Sequence, residues 1–285
     1  IGLGNMGAPM VRNLVAAGFD VLAFDVAGIT VEGATAAKSA IQAVTKADVV
    51  ITMLPNGSIL RSVADEIIPA MKSGAYFIDC STVDVDSART VADQASAAGI
   101  MAVDAPVSGG IGGAEAGTLT FMAGGSAAAF GVAEPLFDIM GQKAVHCGES
   151  GAGQAAKICN NMILGATMIV TCEAFALADK LGLDRQKMFD VASTSSGYSW
   201  SMNAYCPATG VGPNSPSDNE YKAGFAATLM LKDLNLAQQA AEAADAATPL
   251  GQHAGDMYAT FVESGSGELD FSAMLPYLVE KSHKS

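Results

Sequence analysis

A lysine and an asparagine four residues apart carry the first chemical signal in this sequence. Lys157 and Asn161 stand in Gly151-Ala152-Gly153-Gln154-Ala155-Ala156-Lys157-Ile158-Cys159-Asn160-Asn161, where the surrounding residues are mostly small or apolar. At that spacing both side chains fall on one face of a helix. A lysine so placed either runs its stem along an apolar surface to water or sits in a cleft, where burial makes its amine usable as a general acid and base. The flanking glycines and the asparagine one turn on favour the cleft. A lysine free in water titrates near ~10.4, so such a site must lower that value by desolvation or by a second cation. Lys232, in Leu231-Lys232-Asp233-Leu234-Asn235-Leu236-Ala237 downstream of Phe225, is the candidate cation. Taken alone, Lys232 and Asp233 read as a solvated pair on a helix.

Two glycine-rich segments could hold anions. Gly2-Leu3-Gly4-Asn5-Met6-Gly7 has the GxGxxG spacing that permits a tight strand-to-helix turn, close approach of a pyrophosphate, and close helix–sheet packing. Backbone amides at the following helix start then hold the anion. Pro9 suits the first helical turn and Gly18 its stop. Asp25 closes the next β-rich run, roughly 20 residues past the glycines, where a carboxylate accepts hydrogen bonds from adenine ribose hydroxyls. It repels a 2′-phosphate, and no arginine follows to compensate, so the pattern predicts NAD rather than NADP. The second segment, Asp104-Ala105-Pro106-Val107-Ser108-Gly109-Gly110, follows another β-rich run. A serine hydroxyl with successive glycine amides makes a nest for a carboxylate; the competing reading is a flexible turn.

The elements that must position these groups follow from periodicity. From Ile1 to about Cys147, short β-rich runs (Val21–Asp25, Val49–Leu54, Tyr76–Asp79, Met101–Val103, Leu119–Ala123, Lys143–His146) alternate with helical stretches such as Ala8–Ala17 and Val85–Ala98. That pattern predicts βα units on a parallel sheet. The strand leading into the first glycine turn would lie ahead of Ile1. After Ser150 the strands stop, and helices are expected at Gln154–Leu181, Arg185–Ser193, Ala226–Ala247 and Gly251–Ser264. The fold class is therefore α/β, a Rossmann-like dinucleotide-binding domain over residues 1–149 followed by an all-α domain over 150–285. Ser193–Ser201 and Tyr205–Tyr221 read as loops. The second is about 17 residues long, more often functional than idle in a compact domain.

Composition excludes several classes. With 285 residues, half of them hydrophobic and 15 % charged, the chain has enough apolar material for two cores and is not disordered. A net charge of −14 with no clustered Lys or Arg argues against nucleic acid, and obliges any anionic ligand to be held by local donors. The longest apolar run, around Met162–Cys172, falls short of the roughly 18 residues of a membrane span, so a soluble protein with a small-molecule ligand and no membrane partner is expected. Met162–Leu177 is apolar on more faces than one domain covers, which predicts a homodimer or homotetramer. Five cysteines without a CxxC pair predict single buried thiols in a reducing compartment. Three scattered histidines, His146, His253 and His283, lack ligand spacing, and no metal site is expected.

Taken together, GLGNMG, Leu54-Pro55 after a strand, Asp79-Cys80-Ser81-Thr82, DAPVSGG, GxGQAAKICNNM, SSGxSW and KDLxLA resemble the β-hydroxyacid dehydrogenases from Ile1 to about Leu278. The resemblance implies that Lys157 is the catalytic acid/base and that Ser108, Gly109 and Gly110 bind the substrate carboxylate. It further implies that Asn161 and Lys232 hold the substrate, and that Gly2, Leu3, Gly4, Asn5, Met6, Gly7, Asp25, Leu54, Pro55, Thr82, Phe225, Lys232 and Asp233 line the cofactor. Ser195–Trp200 and the loop after it resemble the branch that oxidises 3-hydroxyisobutyrate to methylmalonate semialdehyde in valine catabolism. Tartronate or succinic semialdehyde is the alternative substrate. A non-catalytic or imine-reducing relative is disfavoured by the presence of Lys157. The expected location is cytoplasmic, with mitochondrial as the alternative. In one respect the sequence departs from the family: only seven residues separate Asp25 from Gly33, too few for the crossover helix found there.

Overall fold

The computed structural model describes residues 1–284, except for the side chains of His283 and Lys284. His283, one of the histidines considered above, thus lies outside the described side chains. The chain forms two compact units, Ile1–Lys157 and a second from Ile158 onward.

The first unit opens with α1 (Gly7–Ala16), whose Gly7, Pro9, Met10 and Leu14 are buried, and Gly18 reverses the chain at φ +90°. Strand β1 (Leu22–Ala23) pairs in parallel with β2 (Thr35–Ala36). The link between them is a turn at Gly28 and an extended loop, without a helix. Next come α2 (Ala40–Val44), β3 (Val49–Thr52), α3 (Gly57–Ile67), β4 (Tyr76–Asp79), α4 (Val85–Ala97) and β5 (Met101–Asp104). Local side chains start these helices, as the spacing of short polar residues leads one to expect: Ser39 caps α2, Asn56 caps α3 and Asp84 caps α4.

Strands β3, β4 and β5 are parallel, and their register aligns Thr52, Asp79 and Asp104 at their carboxyl ends. The chain then turns through β6 (Val107–Ser108), α5 (Gly110–Ala116), β7 (Leu119–Gly124), α6 (Ala127–Met140) and β8 (Gly141–Gly148). Here the structure corrects the expectation of an all-parallel sheet. Strand β7 is antiparallel to β5 and β6 and parallel to β8. The reason is local: α5 is short, and Gly109, Gly110 and Gly117 all have positive φ, so the chain is turned back on β6 rather than carried across the sheet. Phe121 of β7 stacks on Phe137 of α6 at 4.4 Å in the core beneath.

Ile1 and Gly2 bridge the small sheet to the large one. The Ile1 amine donates to the Ile51 carbonyl at 2.7 Å, Gly2 N–H to Phe24 at 3.0 Å, and Met53 N–H to Ile1 at 3.0 Å.

The second unit is helical: α7 (Ala152–Lys180), which begins within the first unit, α8 (Arg185–Ala192), α9 (Trp200–Asn203), α10 (Ala227–Ala243), α11 (Pro249–Phe261) and α12 (Met274–Lys284). Its core gathers Met168, Phe175, Met230, Leu234, Tyr258 and Phe271. Helix α7 is 29 residues long, and an 18-residue window of it reaches a mean hydropathy of 1.6, enough by length and composition to cross a membrane. Apolar runs that looked too short are joined in one helix, and 44 % of that window is buried inside the protein. The Tyr205–Tyr221 stretch is more ordered than its composition suggests. Ser215 and Asp218 cap a 3₁₀ turn at Pro216–Asn219, and the Ser215 and Ser217 hydroxyls donate to the Cys206 carbonyl. The cysteines also differ from expectation: Cys80, Cys172 and Cys206 are buried free thiols, but Cys159 is exposed and Cys147 half-buried.

Candidate active site

The glycine turn has the shape its spacing predicts. A Cβ on Gly2 would lie 2.2 Å from the Met53 carbonyl oxygen and one on Gly7 1.9 Å from that of Gly2, so neither position admits a side chain. A Cβ on Gly4 would meet no atom within 4 Å. The middle glycine therefore borders open space where a pyrophosphate can approach, as NAD requires. Asp25 accepts from Leu3 N–H and Ala27 N–H at 2.7 Å each, one on each carboxylate oxygen. Its orientation is thus set by the loop it would serve, and the second lone pair of each oxygen remains for ribose hydroxyls. These residues fit a dinucleotide.

The other cofactor positions in this unit are tied together by a side chain absent from the predicted set. Ser81 Oγ accepts from Leu54 N–H at 2.7 Å, and Gln154 both donates to the Ser81 carbonyl at 2.8 Å and accepts from Val83 N–H at 3.1 Å. Leu54, Pro55 and Thr82 thus lie on two loops held by Ser81 and by the first turn of α7. Thr52, Asp79 and Asp104 complete this polar layer. Thr52 and Ser81 hydroxyls donate to Asp79 Oδ1 at 2.7 and 2.6 Å, and Oδ2 of Asp79 has no hydrogen-bond partner. Burial pushes the Asp79 carboxyl up to about 6, against the hydrogen bonds from Ser81 and Thr52. Asp104 is likewise raised to about 6 by burial, opposed by amides at the start of α7. Polar residues at three successive strand ends were a signal available in the sequence. Their partners were not.

Ser108, Gly109 and Gly110 follow directly from the end of β6. Gly109 has φ +133° and Gly110 +63°, a pair of backbone conformations that only glycine adopts without strain. Lys157, five residues into α7, is 7 % exposed, and Asn161, one turn further, is 1 % exposed. The snorkelling alternative for Lys157 is thereby removed. In the second unit, the Asn161 amide donates to Asp233 Oδ2 at 2.5 Å, its Oδ1 accepts from Asn160 at 2.9 Å, and Lys232 Nζ lies 3.9 Å from Asp233 Oδ1. Asp233 is buried, so the pair is not the solvated one that the local sequence suggests. Phe225 is held by its backbone: Asp270 accepts from Gly224 N–H, Phe225 N–H and the Tyr205 hydroxyl. A separate open groove of about 680 Å³ in this unit, bordered by Asp179, Arg185 and Thr209, contains none of these residues. Among the described residues, no three His, Cys, Asp or Glu gather as metal ligands.

A glycine turn open at Gly4 and a buried lysine on α7 fit an NAD-dependent oxidoreductase acting on a CH–OH group. Comparison with known proteins makes this specific. Residues 1–148 match the family model described as the NAD binding domain of 6-phosphogluconate dehydrogenase. Residues 151–278 match the one described as NAD-binding of NADP-dependent 3-hydroxyisobutyrate dehydrogenase. A probable 3-hydroxyisobutyrate dehydrogenase of Mycobacterium tuberculosis is 48 % identical over 280 residues, covering 96 % of this chain and 95 % of its own. An NAD-dependent L-serine dehydrogenase of Pseudomonas aeruginosa is 44 % identical over 282 residues, with the same coverage of 96 % and 95 %. Among solved structures, the 3-hydroxyisobutyrate dehydrogenase of Mycobacterium tuberculosis with L-serine superposes at a TM-score of 0.94, with 47 % identity and 97 % coverage of both chains. The chain belongs to the 3-hydroxyisobutyrate dehydrogenase family.

The raised carboxyl of Asp79 gives a pH test of this polar layer. The folded value is about 6 against 3.8 as reference, so the folded state binds the proton more tightly. Wild-type stability attributable to Asp79 is therefore lost as pH rises through that window, whereas Asp79→Asn has no proton to lose. The unfolding free energy of the variant minus that of wild type should rise between these two values and stay level above them. Urea melts across the window check this, and a flat difference would contradict the assignment.

Proposed function

We propose that the chain oxidises the primary alcohol of a small 3-hydroxy acid, 3-hydroxyisobutyrate first, with Lys157 as general base. The observation that carries this is the burial of Lys157 and Asn161 on one face of α7. In this reading Ser108, Gly109 and Gly110 hold the carboxylate, Asn161 orients the C3 hydroxyl, and the Lys157 amine takes the hydroxyl proton. Bound NAD would accept the hydride from C3, which leaves an aldehyde. In reverse, the ammonium of Lys157 polarises the carbonyl and returns its proton. Asp233 fixes which face of the Asn161 amide is presented, since it occupies the amide N–H₂ group.

L-serine is the second substrate reading, supported by the relative named an L-serine dehydrogenase and by the solved 3-hydroxyisobutyrate dehydrogenase with L-serine. It also carries a primary alcohol on C3 next to a carboxylated C2, and differs from 3-hydroxyisobutyrate in bearing an ammonium where the latter has a methyl. Rates with the two acids under identical conditions separate these readings. Methylmalonate semialdehyde as product, and with it a place in valine catabolism, follows from the first.

Homo-oligomerisation belongs to the same reading. Ile163, Thr167, Val170, Ala174, Leu177 and Leu181 follow one another at spacings of four and three, and the four large apolar members are exposed. That spacing is the seam of a helix pair, and the same stripe on a second copy is its natural complement. Sedimentation at micromolar concentration should show a dimer or larger, and Val170→Glu with Leu177→Lys should reduce its size. A wild-type monomer would exclude the seam.

Asp25 should make NAD preferred over NADP by charge repulsion with the 2′-phosphate. Asp25→Ser with an arginine introduced at Val26 should narrow or reverse the preference in kcat/KM. Equal turnover of both cofactors by the wild type would refute the role of Asp25.

Lys157→Ala should lower kcat by roughly 10²–10⁴, the usual contribution of a positioned acid/base, with NADH binding by fluorescence unchanged. Lys157→Arg should be nearly as damaging, since guanidinium stays protonated. Asn161→Ala should mainly raise KM. A Lys157→Ala enzyme retaining more than about a tenth of wild-type kcat, well short of an acid/base loss, would overturn the mechanism.

A further inference from the structure

We propose that Asp104 is a positioning residue for the reaction: its carboxylate seats the N-terminus of α7, and with it Lys157, on the end of β5, in the segment that continues to Ser108, Gly109 and Gly110. This rests on the reading of Lys157 as the acid/base.

Helices α3, α4, α6 and α8 are capped by their own preceding residues, Asn56, Asp84, Ser126 and Asp184. Helix α7 is preceded by Gly151, which has no side chain to offer. Its cap comes instead from 47 residues earlier in the chain: Gly151 N–H donates to Asp104 Oδ1 at 2.6 Å, and Gln154 N–H donates to Oδ2 at 3.0 Å. One carboxylate thus takes amides that the helix cannot satisfy internally and meets the positive end of its dipole. The seat is close-fitting. A Cβ on Gly153 would lie 2.3 Å from the Met122 carbonyl oxygen and 2.4 Å from that of Asp104, and one on Gly124 would lie 2.6 Å from Asp104 Oδ1. Gln154 makes a second tie, to Ser81 and Val83, within the same turn.

Lys157 stands one turn beyond Gln154, so its amine is carried on a helix start anchored at two strand ends. Ser108 is four residues beyond Asp104 in the same segment. Asp104 is therefore the shared root of the group that would hold the carboxylate and the group that would take the proton. A misplacement of about 1 Å between such groups costs on the order of 10²-fold in rate, while the glycine cradle for NAD is the turn leading into α1, and neither Asp104 amide bond reaches it.

A double-mutant cycle tests this, with Asp104→Asn made in wild type and in Lys157→Ala. Asp104→Asn keeps the side-chain shape, but places an N–H₂ group where a carboxylate oxygen accepted a backbone amide. In wild type it should lower kcat about 10- to 100-fold, in line with that misplacement cost, with NADH affinity and KM for the hydroxy acid within about twofold, short of one RT unit in binding. In the Lys157→Ala background the same change should cost less than about twofold, because residues that act as one unit are not additive. Gly153→Ala, whose Cβ would crowd the seat and meet Asp104 Oδ2 at 2.8 Å, unseats the helix with the acid still in the chain and should reproduce the loss of kcat.

Wild-type kcat in either single variant overturns the proposal. So does an equal loss from Asp104→Asn in both backgrounds, which would mean that Asp104 does not act through Lys157. Loss of NADH binding in parallel with kcat in both seat variants would make Asp104 an element of folding only, and also overturns it. Wild-type turnover by Lys157→Ala would fell the acid/base reading itself, an outcome distinct from the others.

Discussion

Backbone amides at the start of a long helix need acceptors, and in α7 they find one at the end of β5. The Asp104 carboxylate is buried, and burial of a charge is tolerable only where it is well supplied with donors. Here the donors are the helix amides themselves, which offset part of the cost of burial while the carboxylate satisfies the helix. Much of the first unit serves this contact. The parallel register of β3, β4 and β5 brings Thr52, Asp79 and Asp104 into one row. Gly124 and Gly153 remove the side chains that would hold the helix off. Gln154 then extends the row to the loop carrying Thr82.

The second unit uses the same device. Asp233 takes the amide of Asn161, and Asp270 gathers Tyr205, Gly224, Phe225 and Ser272 around one carboxylate. A chain with a net charge of −14 is poorly suited to attract an anionic acid from solution. Several of its acids, however, are not surface charges at all. They are internal acceptors that fix the backbone around the few lysines and glycines able to meet an anion.

The family places the chain among dehydrogenases of small hydroxy acids, and the proposed site is compatible with relatives named for different substrates. The cradle for the dinucleotide is made of backbone and three glycines, and the proposed carboxylate nest of the Ser108 hydroxyl, backbone and two glycines. Neither reads the substituent on C2. Discrimination between a methyl and an ammonium there must come from side chains, not from the groups that hold the cofactor and the carboxylate.

Local chemistry was legible in the amino-acid sequence. Glycines at the spacing of a strand-to-helix turn, an acid after the next strand, and a lysine and asparagine one helical turn apart are signals confined to a few residues, whereas the burial of that lysine and the Asp233 partner of that asparagine are not. The α/β-to-α succession is likewise periodicity. The tertiary structure alone decided the direction of β7, because three positive-φ glycines outweighed the βα rhythm. It also decided what Asp104 does. Within DAPVSGG this residue reads as part of a polar turn. Its carboxylate instead closes a helix that begins 47 residues later, and strand register and packing, not neighbours in sequence, determine which amides a strand-end carboxylate meets.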